Sequence, residues 1–532
     1  MTFSKLWKRL DLNLVLISLL SIFAFAPLTH PGFFQSHSGF LPVFNLYDLE
    51  QNLWGSWGWV PVVGRGFNLL SGEGPAPYVL AEFFRWLGLG GVETIKTIYL
   101  LGFAASGLVT YLLGKELYGA KGGLVAALVY LYLPYHLATV YVRGAFAEAW
   151  AFVLYPLVLL CWEKYMVGEA AKLPGRRAWL WGALAVLLYA GLILTNVGLA
   201  LLYALFLFIY VLILGPSRRV KGKALLLLTV ALIAGVLLLV PTVMRHGLLI
   251  EADGDFAQHF VYPFQFLSAT WGYGASTADW ADTLPLQLGL VATGLTLLVG
   301  MLVLRGEGVD VRLRRRAGFF VIGAIVVAFS MLHPMSFFWR VSGLYLLLEY
   351  PWQLLAIVGL ATSLASGATM GLAKQLTRFP WRVVLITLVI LASYSYLIPH
   401  FTDVQVGGSP VAILGDQVAL LAYQREGPLL HGATVRLTLH WQALQPMETD
   451  YTVFVHIVDT EGTIWGQRDA LPVDGERPTT SWELGEIIED EYEVTIDVEG
   501  PREGYAIELG MYVQDTGERL PVSTGGTAII LE

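Results

Sequence analysis

Apolar residues in the first 400 positions do not alternate with polar ones; they run unbroken for a bilayer's width, again and again. The runs fall at 12–28, 94–114, 122–137, 147–162, 178–194, 197–214, 224–243, 285–304, 317–333, 352–371 and 382–398. A hydrocarbon core about 30 Å thick takes about 20 residues of helix, so each run predicts one crossing. The pattern predicts a polytopic α-helical membrane domain over residues 1–399, with about eleven transmembrane helices. Two of the runs, 178–194 and 197–214, leave only Thr195-Asn196 as the tip of an antiparallel hairpin. Lys5, Lys8 and Arg9 precede the first run as they would in a signal peptide. No small-residue cleavage site follows before Pro27, so that run reads as an anchor.

Beyond residue 400 the pattern changes to a period of two. TVRLTLHWQA (434–443), YTVFVHIVD (451–459), YEVTIDV (492–498) and YAIELGMYV (505–513) alternate apolar and polar positions and are rich in β-branched and aromatic residues. Turn sequences such as Asp459-Thr-Glu-Gly462, Asp474-Gly475 and Asp515-Thr-Gly517 separate them. Short strands at this spacing predict an antiparallel, all-β sandwich of about eight strands over 416–532. A linker at 400–415, near Pro399, Gly407-Gly408 and Pro410, joins it to the helices.

Composition agrees. The chain is 56% hydrophobic and only 14% charged, with a mean hydropathy of +0.62. A soluble domain carries about a quarter charged residues. The net charge of −8 averages two unlike parts: 27 Lys/Arg against 18 Asp/Glu in 1–400, then 6 Arg, no Lys and 23 Asp/Glu in 401–532. The tail's acidity suits an exposed, solvated domain, with sugar or cation binding as the alternative. The single Cys161 sits in an apolar run and excludes a disulfide framework. No Walker loop, dinucleotide fingerprint, zinc spacing or nucleic-acid surface occurs, and no internal repeat points to a transporter.

Lys and Arg also predict the orientation. With the N-terminus inside, 21 of the 27 basic residues of the membrane part fall on cytoplasmic loops; Arg65, Arg85, Lys96, Arg143, Arg245 and Arg340 stay outside. Short loops with this bias orient a membrane protein. The same arrangement puts the sandwich and all ten histidines on the outer side.

Candidate chemistry lies in the outer segments. Loop 29–93 is too long for a connector and too aromatic for disorder, although its Trp and Tyr also suit an interfacial belt. His37 and Arg65 are its candidate substrate-binding groups, and 77–88 predicts an amphipathic helix on the membrane surface. At 130–150, His136, Tyr141, Arg143 and Glu148 stand where one span ends and the next begins. Arg143 and Glu148 can simply pair; charges at membrane depth otherwise face a cavity or a ligand. Segment 244–284 brings Asp253, Asp255 and His259 close to an aromatic run, a set able to hold a divalent cation or to serve as base and acid. A fourth outer segment carries Arg340 and Glu349 beside Pro351.

Three stretches carry a resemblance: YLPYHLATVYVRGAFAEAWAFVLYPL (132–157), HFVYPFQFLSATWGYG (259–274) and EYPWQLL (349–355). With the tail segments HWQALQPMETDYTVFVHIVD and TGERLPV, the chain resembles membrane proteins with a 6-pyruvoyl-tetrahydropterin synthase-related membrane domain. These belong among the GT-C glycosyltransferase-like proteins. The resemblance implies a sugar transferred from a polyprenyl-phosphate donor to a glycan acceptor on the outer face of the cell membrane. It also implies an acidic residue in the first outer loop as base or metal partner, with Arg143 suited to the lipid phosphate. Relatives read His-Asp-Gly early in that loop, followed by a second histidine. Here the residues are His37-Ser38-Gly39, with Pro42 at the second position, and the hairpin tip is Thr195-Asn196 where relatives often have His-Asn. Asp48, Glu50 or Glu73 would have to supply the carboxylate. Three functions follow: a glycosyltransferase using a lipid-linked sugar, a catalytically silent protein that binds or presents glycans through its sandwich, or a transporter.

Overall fold

The computed structural model describes residues 11–52, 74–171, 175–246, 256–273, 276–278, 280–306, 310–406 and 409–531. The helices are α1 (Leu12–Phe25), α2 (Leu41–Asn52), α3 (Ala76–Trp86), α4 (Gly91–Leu131), α5 (Pro134–Tyr141), α6 (Phe146–Ala170), α7 (Gly175–Ile193), α8 (Val197–Leu214), α9 (Arg218–His246), α10 (Leu290–Arg305), α11 (Val311–Ser330), α12 (Ser336–Ser342), α13 (Leu355–Leu372) and α14 (Phe379–Leu391). Among the described residues, seven helical segments are long and apolar enough to cross a membrane, and two more, Arg177–Ile193 and Leu290–Arg305, are apolar but shorter. This is an integral membrane protein. Each of the eleven apolar runs in the sequence lies on a helix or runs past its end.

Two of those runs share α4, whose 41 residues would reach about 60 Å if straight. They do not run straight. Gly119 has φ +80, and the halves fold back so that Gly114 packs on Gly123 and Gly107 on Leu131. A Cβ on Gly114 would stand 2.8 Å from the Gly123 Cα. Small residues here let two backbones approach as closely as membrane helices do. The middle of the bundle is α6, α13 and the second half of α4, buried on nearly every side. Peripheral helices α1, α9 and α14 turn Leu19, Leu226, Ile233, Leu237 and Leu388 outward, the inverse of a soluble surface.

The end of the bundle bearing the basic loops is tied by ion pairs between helices. Lys115 meets Asp11 at 2.6 Å, Lys223 meets Glu169 at 2.5 Å, and Lys164 pairs with Glu116. Arg316 pairs with the buried Glu163, which also accepts the Tyr210 hydroxyl at 2.9 Å.

The sandwich is two four-stranded antiparallel sheets, in the orders β3-β4-β5-β8 and β10-β9-β6-β7. Its strands are β3 (Ala412–Leu414), β4 (Val418–Glu426), β5 (Thr434–Ala443), β6 (Tyr451–Val458), β7 (Ile464–Ala470), β8 (Ile487–Thr495), β9 (Ala506–Val513) and β10 (Ile529–Leu531). That makes eight strands around a separate core in which Trp441 is fully buried. Two boundaries differ from the pattern-based expectation. β3 lies within the expected linker because Ala412–Leu414 pairs with Val418–Leu420. β8 begins at Ile487, before the recognisable YEVTIDV, because Ile487 and Ile488 continue the ladder with Gln442 and Trp441.

Two further strands join the parts. β1 (Phe33–Phe34), in the first long loop, pairs with β2 (Phe401–Thr402), and Gln35 N–H donates to the His400 carbonyl at 2.8 Å. From β5, Gln442 clamps the same loop: its Oε1 accepts Phe40 N–H at 3.0 Å and its Nε2 donates to the Ser38 carbonyl at 3.3 Å. Gly485 (φ +74) packs under the Ser36 and His37 carbonyls, leaving no room for a Cβ.

Candidate functional site

Pro134 ends the span that precedes α5, and Gly144 (φ +62) turns the chain into α6. The intervening turn projects Arg143. Its Nη1 donates to Glu148 Oε2 at 2.6 Å and to the Tyr135 hydroxyl at 3.0 Å, and that hydroxyl donates to Glu148 Oε1 at 2.7 Å. The triangle is closed, with the two charged side chains 14% and 4% exposed. A carboxylate this deep requires such partners. The guanidinium also lies 4.7 Å from the Trp352 ring centre.

Trp352 sits on the turn Pro351–Leu354 that starts α13. Tyr350 stacks on it at 5.0 Å with the planes 8° apart, and His259 meets Tyr350 edge-on at 4.9 Å. The Trp352 Nε1–H donates to Ser276 Oγ at 3.2 Å. Ser276 also lies 2.9 Å from His259 Nδ1 and donates to Asp282 Oδ2 at 2.6 Å. Leu284 N–H holds the other oxygen of the buried Asp282 at 2.8 Å. Trp352 is thus shared by the Arg143–Glu148 pair and the His259–Ser276–Asp282 chain, and three segments far apart in sequence meet on it.

The first loop docks against the same turn. His37 N–H donates to the Val142 carbonyl at 2.9 Å, and Ser38 gives both its N–H and its hydroxyl to the Arg143 carbonyl at 3.1 Å. The His37 ring hydrogen-bonds the Tyr273 carbonyl. Burial, with the Glu483 and Glu486 charges of the sandwich beside it, pushes the Tyr273 phenol well above its ordinary range.

Other candidates stay apart from this cluster. His136 is buried, stacked on Phe152 at 4.2 Å, with Nδ1 on the Tyr130 carbonyl. The Tyr141 hydroxyl donates to the Ala24 carbonyl at 2.6 Å, tying α5 to α1. Glu50 on α2 pairs with Arg85 of α3 at 3.1 Å, and Asp48 is half-buried on the same helix. Arg340, on α12, lies 5.9 Å from the Phe256 ring. Arg65, Glu73, Asp253 and Asp255 lie outside the described residues. Among the described residues no three His, Cys, Asp or Glu side chains stand together as a metal-binding group.

Sequence reasoning missed Trp352, Tyr350, Ser276 and Asp282 as members of the site. Trp352 and Tyr350 lie within EYPWQLL, a motif that offered a signal without a role. Nothing in the spacing singles out Ser276 or Asp282; the chain has to return past His259 before they meet it. A cavity of about 200 Å³ opens near the aromatic run, lined by Phe266, Leu267, Pro134, Val389 and Tyr396, with Gln287 among its few polar groups.

No known family model matches the sequence, and no curated protein matches it. Several solved structures are similar, among them two transferases. One is the oligosaccharyltransferase AglB from Archaeoglobus fulgidus, in complex with an inhibitory peptide and a dolichol-phosphate. It is 14% identical with a TM-score of 0.44, over 75% of this chain and 55% of that one. The other is the arabinofuranosyltransferase AftD from Mycobacteria, 16% identical with a TM-score of 0.42, over 74% of this chain and 29% of that one. The chain therefore spans about half the length of the archaeal protein and under a third of the mycobacterial one.

Proposed function

We propose that the protein transfers a sugar from a polyprenyl-phosphate donor to a glycan acceptor, at the outer face of the cell membrane. The observation that carries this reading is the meeting of three segments far apart in sequence on Trp352, with a guanidinium on one side and a histidine chain on the other. Arg143 suits the phosphate that leaves, because a guanidinium binds phosphate oxygens through charge-assisted hydrogen bonds. The flat faces of Trp352 and Tyr350 suit a sugar ring, and the apolar cavity near Phe266 suits the first isoprene units. Lys and Arg asymmetry supports a cytoplasmic N-terminus and an extracytoplasmic sandwich.

The test uses the purified full-length protein with radiolabelled polyprenyl-phospho-mannose and polyprenyl-phospho-arabinose as donors. Transfer of label to a glycan is expected. Arg143→Ala should lower the rate about a hundredfold, the scale for removing a group that stabilises developing charge. Glu148→Gln should also impair it, and both variants should still insert in the membrane. Full activity in both would refute this assignment.

A second reading, a silent protein that binds glycans through its sandwich, draws on a specific observation. Ser38, where the resemblance implies a carboxylate, spends its hydroxyl on the Arg143 carbonyl, while Glu50 is held by Arg85. A neutral serine hydroxyl is no general base near pH 7. Glycan binding with no transfer from either donor would favour this reading.

A further inference from the structure

Basic residues gather at one end of the bundle, but they are not equally compensated there. Lys115, Lys164, Lys223 and Arg316 each meet a carboxylate. The corner where α8 ends, α9 begins and α11 starts is different. There Arg218, Arg219, Lys221 and Arg315 have no carboxylate within ion-pair distance among the described residues. Two of them converge: Lys221 Nζ donates to the Leu212 carbonyl at 2.6 Å, and Arg315 Nη2 donates to the Ile213 carbonyl at 2.6 Å. These are consecutive carbonyls at the C-terminal end of α8, where cations suit the helix dipole. Capping uses little of what the two side chains offer. An ammonium has three hydrogens and a guanidinium five, and one of each is engaged among the described residues.

The apolar surface leads to the same corner. On α8, Leu205, Phe208, Ile209 and Leu212 are exposed at the i, i+3, i+4, i+7 spacing of one helix face. On α11, Ile322, Ile325, Val326 and Phe329 are exposed at the same spacing, and the exposed Arg315 lies two turns before Ile322 on that face. The helices pack through Phe319, whose ring meets Phe206 at 5.5 Å and Tyr210 at 5.3 Å. Two apolar stripes on neighbouring helices thus end where Arg315 reaches from one helix to the other. We propose that this corner binds an anionic diacyl phospholipid, with its phosphate on Arg315 and Lys221 and its acyl chains along the two stripes. The guanidinium and the ammonium hold phosphate oxygens through charge-assisted hydrogen bonds. Arg218 and Arg219 favour a head group of net negative charge and repel the choline cation of a zwitterionic one. The stripes select a ligand with chains over a soluble phosphate. At this corner the lipid phosphate takes the part that Glu116, Glu169 and Glu163 play for the other cations. The inference does not depend on the transferase reading.

The experiment is native mass spectrometry of the purified full-length protein in a neutral detergent. It is titrated with dioleoyl-phosphatidylglycerol, dioleoyl-phosphatidylcholine or glycerol phosphate. Phosphatidylglycerol should bind about thirtyfold more tightly than phosphatidylcholine, on the scale of about fivefold for each of two cations at the membrane surface. Lys221→Gln with Arg315→Gln should bring its affinity down to that of phosphatidylcholine. Lys221→Arg with Arg315→Lys keeps both charges and should keep most of the preference. Arg378→Gln removes an exposed cation from another basic segment and should leave the affinity within threefold. Glycerol phosphate should not displace the lipid. A phosphatidylglycerol affinity within threefold of that for phosphatidylcholine, or one unchanged in K221Q/R315Q, would overturn the assignment. So would a fall as deep in K221R/R315K. An equal loss in R378Q would mean diffuse charge attraction in place of a site. Displacement by glycerol phosphate would mean a site for a soluble phosphate, and either result also overturns the proposal.

Discussion

Replacing Glu148 with alanine leaves a guanidinium without its carboxylate at the edge of the membrane core. Removing one member of a buried pair typically costs about 3–5 kcal/mol, because the remaining charge stays desolvated. Arg143 is 14% exposed, and it keeps the Tyr135 hydroxyl at 3.0 Å and the Trp352 face at 4.7 Å. These remaining contacts place the expected loss near the low end, about 3 kcal/mol, or roughly a hundredfold in the folding equilibrium. Arg143→Met should cost a similar amount by stranding Glu148, although Tyr135 still donates to it at 2.7 Å. Replacing both with methionine removes both charges and fills the space with apolar chain, so the double variant should lie within about 1 kcal/mol of the unmodified protein. The cycle of E148M, R143M and the double variant then gives a coupling of several kcal/mol. The assay is reversible unfolding in mixed micelles with rising SDS, followed by tryptophan fluorescence. If the double variant loses as much as the two single variants together, the pair is not coupled and the reasoning fails.

Three further predictions test other levels of the structure. Gln442→Leu removes two hydrogen bonds between the sandwich and the first loop, and should raise amide exchange at 36–44 by the equivalent of about 1–2 kcal/mol, with strand β8 unchanged. Burial raises the Asp490 carboxyl above its ordinary value, so folding favours its protonated form; this contribution is present in mild acid and is lost as pH rises through the folded value. Amide protection in β8, corrected for intrinsic exchange, should therefore fall between mild acid and neutral pH, and Asp490→Asn should flatten that dependence. Because Cys161 is buried, introduced cysteines report topology cleanly. In intact cells Thr460→Cys should react with a membrane-impermeant maleimide, whereas Ser217→Cys should react only after lysis; the reverse would invert the orientation.

Much of the architecture was legible because its causes are local. A run of apolar residues as long as the bilayer is thick has few alternatives to a helix, and each of the eleven runs lies at least in part on one. Strict alternation at 434–443 likewise produced β5 at the same bounds. Errors came where pairing decides an edge. Ala412–Leu414 is three residues long and becomes a strand only because Val418–Leu420 lies alongside. The hairpin at Gly119 shows the same limit: its glycines suggest proximity, but only the packed Gly114–Gly123 contact shows the chain folding back there.

The candidate site was legible as a region and not as a constellation. Charge asymmetry and loop chemistry pointed to the outer segments, and Arg143 with Glu148 stood out because charge at membrane depth is costly. Which residues they meet depended on three segments far apart in the chain, 135–148, 259–282 and 350–352, closing over one indole ring. Hydropathy and charge are properties of short segments, so the sequence by itself determined spans, sandwich and predicted sidedness. Hydrogen bonding at a single hydroxyl is a property of the packed site. The partnership of Ser276 with His259 and Asp282 was decided only by the tertiary structure.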